Sequence, residues 1–423
     1  MKTIHPQGLT FEDALKYRDL EFARQLLKDA APAEQAEMKR RWREAHRFPL
    51  VRGEYMNELL DISPGRDFDD AAFRQLVQDV EAAGIHVPTD EECRAMDPRP
   101  INRPAAMLKV LMEANQDAQL ERLLQAGLDL NKSMYARTGE ETWPLDIACD
   151  HYPHLVPMFL KHGADPNGDG YWNIPLISAG IGEDMETINL LLDAGADPKL
   201  VDPAGWTLLG LAVNFEMDEL VYRLLEMGVD ANGGYDVEEY LPLFNAIFLQ
   251  RADYVERLLD AGASPFLVTA SDINPDDDGQ TPLYLAEERL LWAENPQELE
   301  TAQRIVDAIY SRFPDIDRLP HIEDWDEDSE QKHAYMNAAL WNASAYGVQE
   351  GAFSLLKYCG ADASACNKSG VPALAVAAQR GHAGVVYELL CHGADPATAA
   401  PMPTARQAFT AEVRRLLRVF EET

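Results

Sequence analysis

Three groups of residues in this 423-residue chain have the types and spacing to do chemistry. The run SDINPDDDG, from Ser271 to Gly279, gathers carboxylates as a calcium loop does. Counted from Asp272, the turn-glycine position holds Asp277 and the closing bidentate position holds Leu283, so both the bend and the last ligand are missing. Cys149, His151 and His154 are good zinc donors, but no fourth ligand accompanies them, and a closed zinc site needs four. The basic island KRRWREAHR, from Lys39, sets Arg40, Arg43 and Arg47 at helical spacing on one face, where intramolecular pairing with acidic fingers is expected. Its single aromatic, Trp42, makes no stacking platform for nucleic acid.

Familiar catalytic frameworks are also missing: the sequence contains no GxSxG elbow, no GxxxxGK phosphate loop and no HExxH pair. No catalytic residue, cofactor or metal is therefore expected, and the chain reads as a binding protein rather than an enzyme. With 72 acidic against 37 basic residues, the net charge of −35 repels nucleic acid and anionic membranes and favours a neutral or basic protein partner. The five cysteines are scattered and form no CxxC pair, which suits a reducing cytoplasm better than a disulfide framework. The opening MKTIHPQGLTFEDALKY lacks the apolar core of a secretory signal, and no apolar run approaches the roughly 20 residues that span a bilayer. A soluble, cytoplasmic monomer is expected.

The elements that carry these residues follow from a repeat. LLQAGLDLN at Leu123, FLKHGADPN at Phe159, LLDAGADPK at Leu191, LLEMGVDAN at Leu224, LLDAGASPF at Leu258 and LLCHGADPA at Leu389 are variants of one phrase. Their glycines recur about every 33 residues, the signature of stacked supersecondary units. Each phrase reads as the end of a helix, with a Leu pair facing a core and a glycine free to turn left-handed. Upstream of each lies a helix start, among them WPLDIA, IPLISA, TLLGLA, LPLFNA, TPLYLA and PALAVAA, several with proline in the first turn, where its missing N–H is not needed. Two short helices fit between the signals, with Gly381 breaking the first in PALAVAAQRGHAGVVYELLCHGADP and Val386, Leu389 and Leu390 facing inward.

DDDGQTPLYLA, DPAGWTLLGLA and SGVPALAVAAQRGHAGVVYELLCHGADP closely resemble ankyrin repeats. The resemblance implies an all-α solenoid of helix-turn-helix units with projecting β-turn fingers, and partner binding on the concave face made by finger tips and first helices. Carried over by position, the partner-facing candidates are Tyr171, Asn173, Trp206, Glu238 and Tyr240 in fingers, and Asn214, Phe215, Phe248 and Leu249 late in first helices. Asp277 and Asp278, with the acidic run from Asp324, could steer a basic partner. Trp143 stands inside a turn and reads as structural.

The expected organisation is a helical N-terminal cap over 1–97 with degenerate repeats, regular repeats over 98–267, an irregular unit with an acidic loop over 268–335, two further repeats over 336–396 and C-terminal capping helices over 397–423. The resulting expectation is an adaptor or inhibitor, one version being an immunity protein that masks a basic toxin or enzyme. The rival readings are a delivered effector with a second activity in the N-terminal or inserted segment, and a passive scaffold.

Overall fold

A computed structural model describes residues 5, 8–45, 68–94, 102–131, 143–170, 172–202, 205–233, 241–268, 280–316, 319, 330–400 and 409–421. The described elements are helical apart from two isolated antiparallel bridges, Val201 with Thr207 and Cys366 with Pro372, each closing a finger. The chain divides into two compact units, one of residues 46–211 and one of residues 1–45 with 212–423.

In chain order the helices are α1 (Phe11–Lys16), α2 (Leu20–Asp29), α3 (Pro32–Ala45), α4 (Asp70–Ala82), α5 (Asp90–Arg94), α6 (Arg103–Glu113), α7 (Asp117–Gln125), α8 (Pro144–His151) and α9 (Val156–Lys161). There follow α10 (Pro175–Ile181), α11 (Met185–Asp193), α12 (Leu208–Asn214), α13 (Asp218–Glu226), α14 (Pro242–Phe248) and α15 (Ala252–Asp260). The last are α16 (Pro282–Leu291), α17 (Pro296–Arg312), α18 (Glu330–Tyr346), α19 (Gln349–Lys357), α20 (Ala373–Arg380), α21 (Ala383–Cys391) and α22 (Ala411–Glu421).

Two local devices generate the repeat. At the junction between the helices of a pair, one residue turns left-handed and the next N–H reaches back to a carbonyl five residues earlier. The bonds are Asp19 to Ala14, Gln116 to Leu111, Asp184 to Ala179, Met217 to Ala212, Arg251 to Ala246, Val348 to Ala343 and His382 to Ala377, each between 2.8 and 3.0 Å. The turning residue is glycine at Gly347 and Gly381, but Arg18, Asn115, Glu183, Glu216 and Gln250 adopt the same positive φ despite carrying a Cβ. The second device explains the GAD phrase. Its aspartate accepts the N–H two residues on, as Asp165 does from Asn167, Asp197 from Lys199, Asp230 from Asn232 and Asp395 from Ala397, while Ser264 serves Phe266 in GASPF.

Asparagine then ties one repeat to the next. The Asn131 side-chain Oδ1 accepts the Asp165 N–H and that of Asn167 accepts the Asp197 N–H, both at 2.7 Å; in the other unit Asn232 Oδ1 accepts the Ser264 N–H at 2.7 Å and Asn337 Oδ1 that of Asp362 at 2.9 Å. Between the turns, paired leucines and small residues fill the core. On α15, Tyr254, Val255, Leu258 and Leu259 are buried; on α21, Val386, Leu389 and Leu390 are buried as the sequence predicts.

The irregular unit opened by TPLYLA keeps both helices, but α17 is lengthened to 17 residues and packs on α15 as well as α16. The unit after it opens with the equally long α18, and the turn after its second helix, α19, holds the extra residue before Gly360, so the closing bond runs from Ala361 to Leu355 rather than one residue nearer.

The described residues of the first hundred fall in both units. Residues 68–94 belong to the unit of residues 46–211, whereas α1–α3 belong with the C-terminal repeats. There α1 and α2, a repeat-like hairpin turned at Arg18, lie against α19, α21 and α22. The reason is that α21 presents Tyr387 and Cys391 on a face that a regular repeat leaves in water, and the hairpin covers it. Arg415 of α22 pairs with Asp13 and Glu412.

Candidate protein-binding face

The unit of residues 46–211 carries finger residues on turns fixed by aspartate. Asp169 accepts the N–H groups of Trp172 and Asn173 at 2.8 and 2.9 Å, and Asp202 accepts that of Trp206 at 2.7 Å. Asn173, placed at an outward position by the sequence, is 2% exposed: its amide donates to Asp169 at 2.6 Å, so it braces the finger from inside. Trp206, which occupies the position of Asn173 in the next finger, is half-buried, and the exposed aromatic is Trp172, one residue before Asn173. Ile181, at the end of α10, is 47% exposed. Tyr171 lies outside the described residues, as do Glu238, Tyr240, Asp277, Asp278 and the acidic stretch 324–329.

In the unit of residues 1–45 and 212–423 the ends of successive first helices come together. Asn214 and Phe215 are half-buried, Leu249 likewise, and Phe248 is 57% exposed. Arg289 of α16 lies 4.8 Å from the Phe248 ring centroid, linking α14 to α16 by a cation–π contact. Just beyond it, Leu291 and Trp292 are exposed, Trp292 by 67%. They project because α16 runs one turn further than α14. The position that matches Gln250, where the left-handed turn occurs, is Leu290, which stays helical. Glu294 and Glu298 stand exposed beside them and Glu288 is half-exposed, so the apolar ridge is bordered by carboxylates.

Nearby charges are mutually engaged. Arg251 donates to Glu216, Asp218 and Asp253 and stacks 3.8 Å from the Tyr254 ring centroid. Its hydrogen bond holds the Asp253 carboxyl down to about 2. In the other unit Asp146, on the first helix α8, is pushed up to about 6 by burial, and the Ser178 hydroxyl donates to it at 2.7 Å.

The remaining chemistry-bearing residues do not converge. Cys149 is buried, while His151 and His154 are exposed and pair with Asp150 and Asp117. No group of three or more His, Cys, Asp or Glu side chains that could hold a metal occurs among the described residues. Trp143 is buried at the start of α8, as its structural reading requires. The basic island folds into α3, with Trp42 buried; Arg40 pairs with Glu37, and Arg41 with Glu12 and Glu37, rather than with acidic fingers. The side chain of Arg43, and Arg47, lie outside the described residues. No helix among the described residues is long and apolar enough to cross a membrane.

Comparison with known proteins agrees with this geometry. A family model for ankyrin repeats matches residues 176–269 as three copies. An ankyrin repeat-containing protein of Treponema pallidum (strain Nichols) is 32% identical over 102 residues, which cover 24% of this chain and 32% of that protein, so the likeness spans about a third of the relative. Junction bonds, aspartate turns and the asparagine ladder extend the same unit well beyond the matched stretch. The chain therefore carries ankyrin repeats, stacked in an all-α fold, and repeats of this kind are protein-interaction modules.

Proposed function

We propose that this chain is a non-catalytic cytoplasmic adaptor or inhibitor that grips one folded protein through the first-helix face of its repeats. The observation that carries the proposal is the ridge of Phe248, Leu291 and Trp292, with Arg289 between its two helices. Large aromatic and aliphatic side chains left in water are costly, and aromatics and arginine are the residue types most enriched in interface anchors. The bordering Glu288, Glu294 and Glu298 and the net charge of −35 favour a partner that brings lysine or arginine around an apolar centre. Masking of a basic toxin or enzyme is the inhibitory version of this reading, with the free chain monomeric.

The test is affinity capture of the native partner by the full chain and by the double variant Phe248→Ala, Trp292→Ala, followed by titration of the identified partner. The expected result is at least a tenfold loss of affinity with an unchanged melting temperature, because neither ring fills the core. Unchanged affinity places the partner elsewhere.

A further inference from the structure

The hairpin α1–α2 is held on the last repeats by contacts of two kinds. Tyr17 stacks on Tyr387 with ring centroids 4.4 Å apart, and Phe22, Ala23 and Leu27 are buried. Around these, charges at the rim pair across: Asp13 with Arg415, Lys16 with Glu412, Arg18 with Glu350 and Glu21 with Lys357. Asp19, at the hairpin junction, accepts hydrogen bonds from the Tyr387 hydroxyl and the Phe22 N–H and pairs with His5.

Beneath this cover lies Glu388 of α21, 5% exposed. Its carboxyl accepts from Gln349 Nε2 at 2.9 Å, and the same nitrogen donates to the carbonyl of Tyr17 at 2.9 Å, the last residue before the turn. Gln349 is seated against Gly384, where a Cβ would come within 2.1 Å of its Oε1. One amide therefore joins the covered carboxyl to the hairpin backbone.

We propose that the hairpin of residues 11–29 is a proton-gated clasp on the last two repeats, seated while Glu388 carries a proton and released as that proton is lost. The physical reason is that Glu388 has been taken from water without a cation to replace it. Burial pushes its carboxyl up to about 8; Gln349 works against the shift, Asp19 and Glu350 add to it, and Lys357 opposes it from the rim.

Asp19 is the charged member of the pair. Although burial disfavours its charge, the bonds from His5, the Phe22 N–H and Tyr387 prevail and lower its pKa. Ionised Glu388 would face that carboxylate. Burial raises Tyr17, Tyr387 and Cys391 and lowers His392, while Arg415 holds Glu412 down to about 2 and keeps the rim pairs intact.

The linkage has a definite sign. A carboxyl that titrates near its ordinary value when released, and near 8 when seated, binds more protons in the seated state between those limits. Release therefore grows about tenfold per pH unit from about pH 4.5 to 8 and levels off above.

The experiment is hydrogen–deuterium exchange on the full chain at pH 5.5 and 8, with intrinsic base-catalysed exchange divided out and α15 as the internal reference. Amides of residues 11–29 should open about 100-fold more at pH 8 than at pH 5.5, independently of α15. Glu388→Gln keeps the shape and an acceptor for Gln349 but cannot ionise, so its change should be at least tenfold smaller. Any contribution from His5 is common to both proteins. The proposal is overturned if wild type and Glu388→Gln share one pH dependence, or if residues 11–29 open only together with α15.

Discussion

Tyr17 and Tyr387 lie face to face, their ring planes within 19° of parallel, although they come from opposite ends of the chain. Repeat arrays are stabilised by neighbours in sequence, and an end repeat needs a covering element to keep its apolar face from water. Here the cover for the C-terminal end is supplied by the N-terminal hairpin together with α22. Tyr17 adds a hydroxyl bond to Glu412, and the carbonyl of the same residue accepts from Gln349, so a single residue ties the hairpin to three helices: α19, α21 and α22.

Tyr17→Ala should therefore destabilise the C-terminal repeats by about 2–4 kcal/mol, the usual cost of removing a buried aromatic. Urea unfolding followed by far-UV circular dichroism measures it. Tyr17→Phe, which loses the Glu412 bond and keeps the stack, should cost about 1 kcal/mol. Equal losses for the two variants would assign the effect to the hydrogen bond rather than to the stacking.

The asparagine ladder yields a second prediction. Asn167→Ala leaves the Asp197 N–H without its side-chain acceptor in one unit, and Asn232→Ala does the same to Ser264 in the other. Each should cost about 1–2 kcal/mol. The readout is local: exchange of the Asp197 or Ser264 amide should rise by at least tenfold, while the neighbouring helix-junction amides, such as Met217 and Arg251, stay protected. Loss of protection at the junctions too would mean that the ladder holds the whole repeat, not one turn.

The repeat itself was legible because its determinants are local. A Leu pair, a glycine and an Asp within ten residues specify the end of α11 or α21, and the proline in IPLISA or LPLFNA marks the start of α10 or α14. What the sequence did not disclose depends on partners distant in the chain or on an absent signal. Position in the repeat alone makes Asn173 an outward residue, whereas its burial comes with the hydrogen bond that its amide donates to the Asp169 carboxylate. Trp292 became exposed because Leu290 fails to make the left-handed turn that Gln250 makes, a difference no periodicity registers. The packing of the hairpin on the last repeats is not legible because chain order is a sound guide to neighbours only when no segment crosses to the far end. The unusual apolar residues on the outer side of α21, Tyr387 and Cys391, were the available clue.

Asp146 provides the last prediction, in the unit of residues 46–211. Its carboxyl lies on a first helix beneath the Ser178 hydroxyl, and burial lifts it to about 6, above the ordinary 3.8, with Asp169 and Asp150 adding repulsion. Between those two values the folded state holds a proton that the unfolded chain has released, so this group's contribution to stability falls as pH rises from about 4 to 6 and is constant above. Asp146→Asn keeps an acceptor for Ser178 and carries no charge to desolvate. The variant should match wild type near pH 4 and exceed it by about 1–3 kcal/mol at pH 7, as judged from urea midpoints at pH 4, 5, 6 and 7. A difference that stays constant with pH would show that Asp146 is ionised throughout and that its neighbours, rather than a retained proton, make it tolerable at that position.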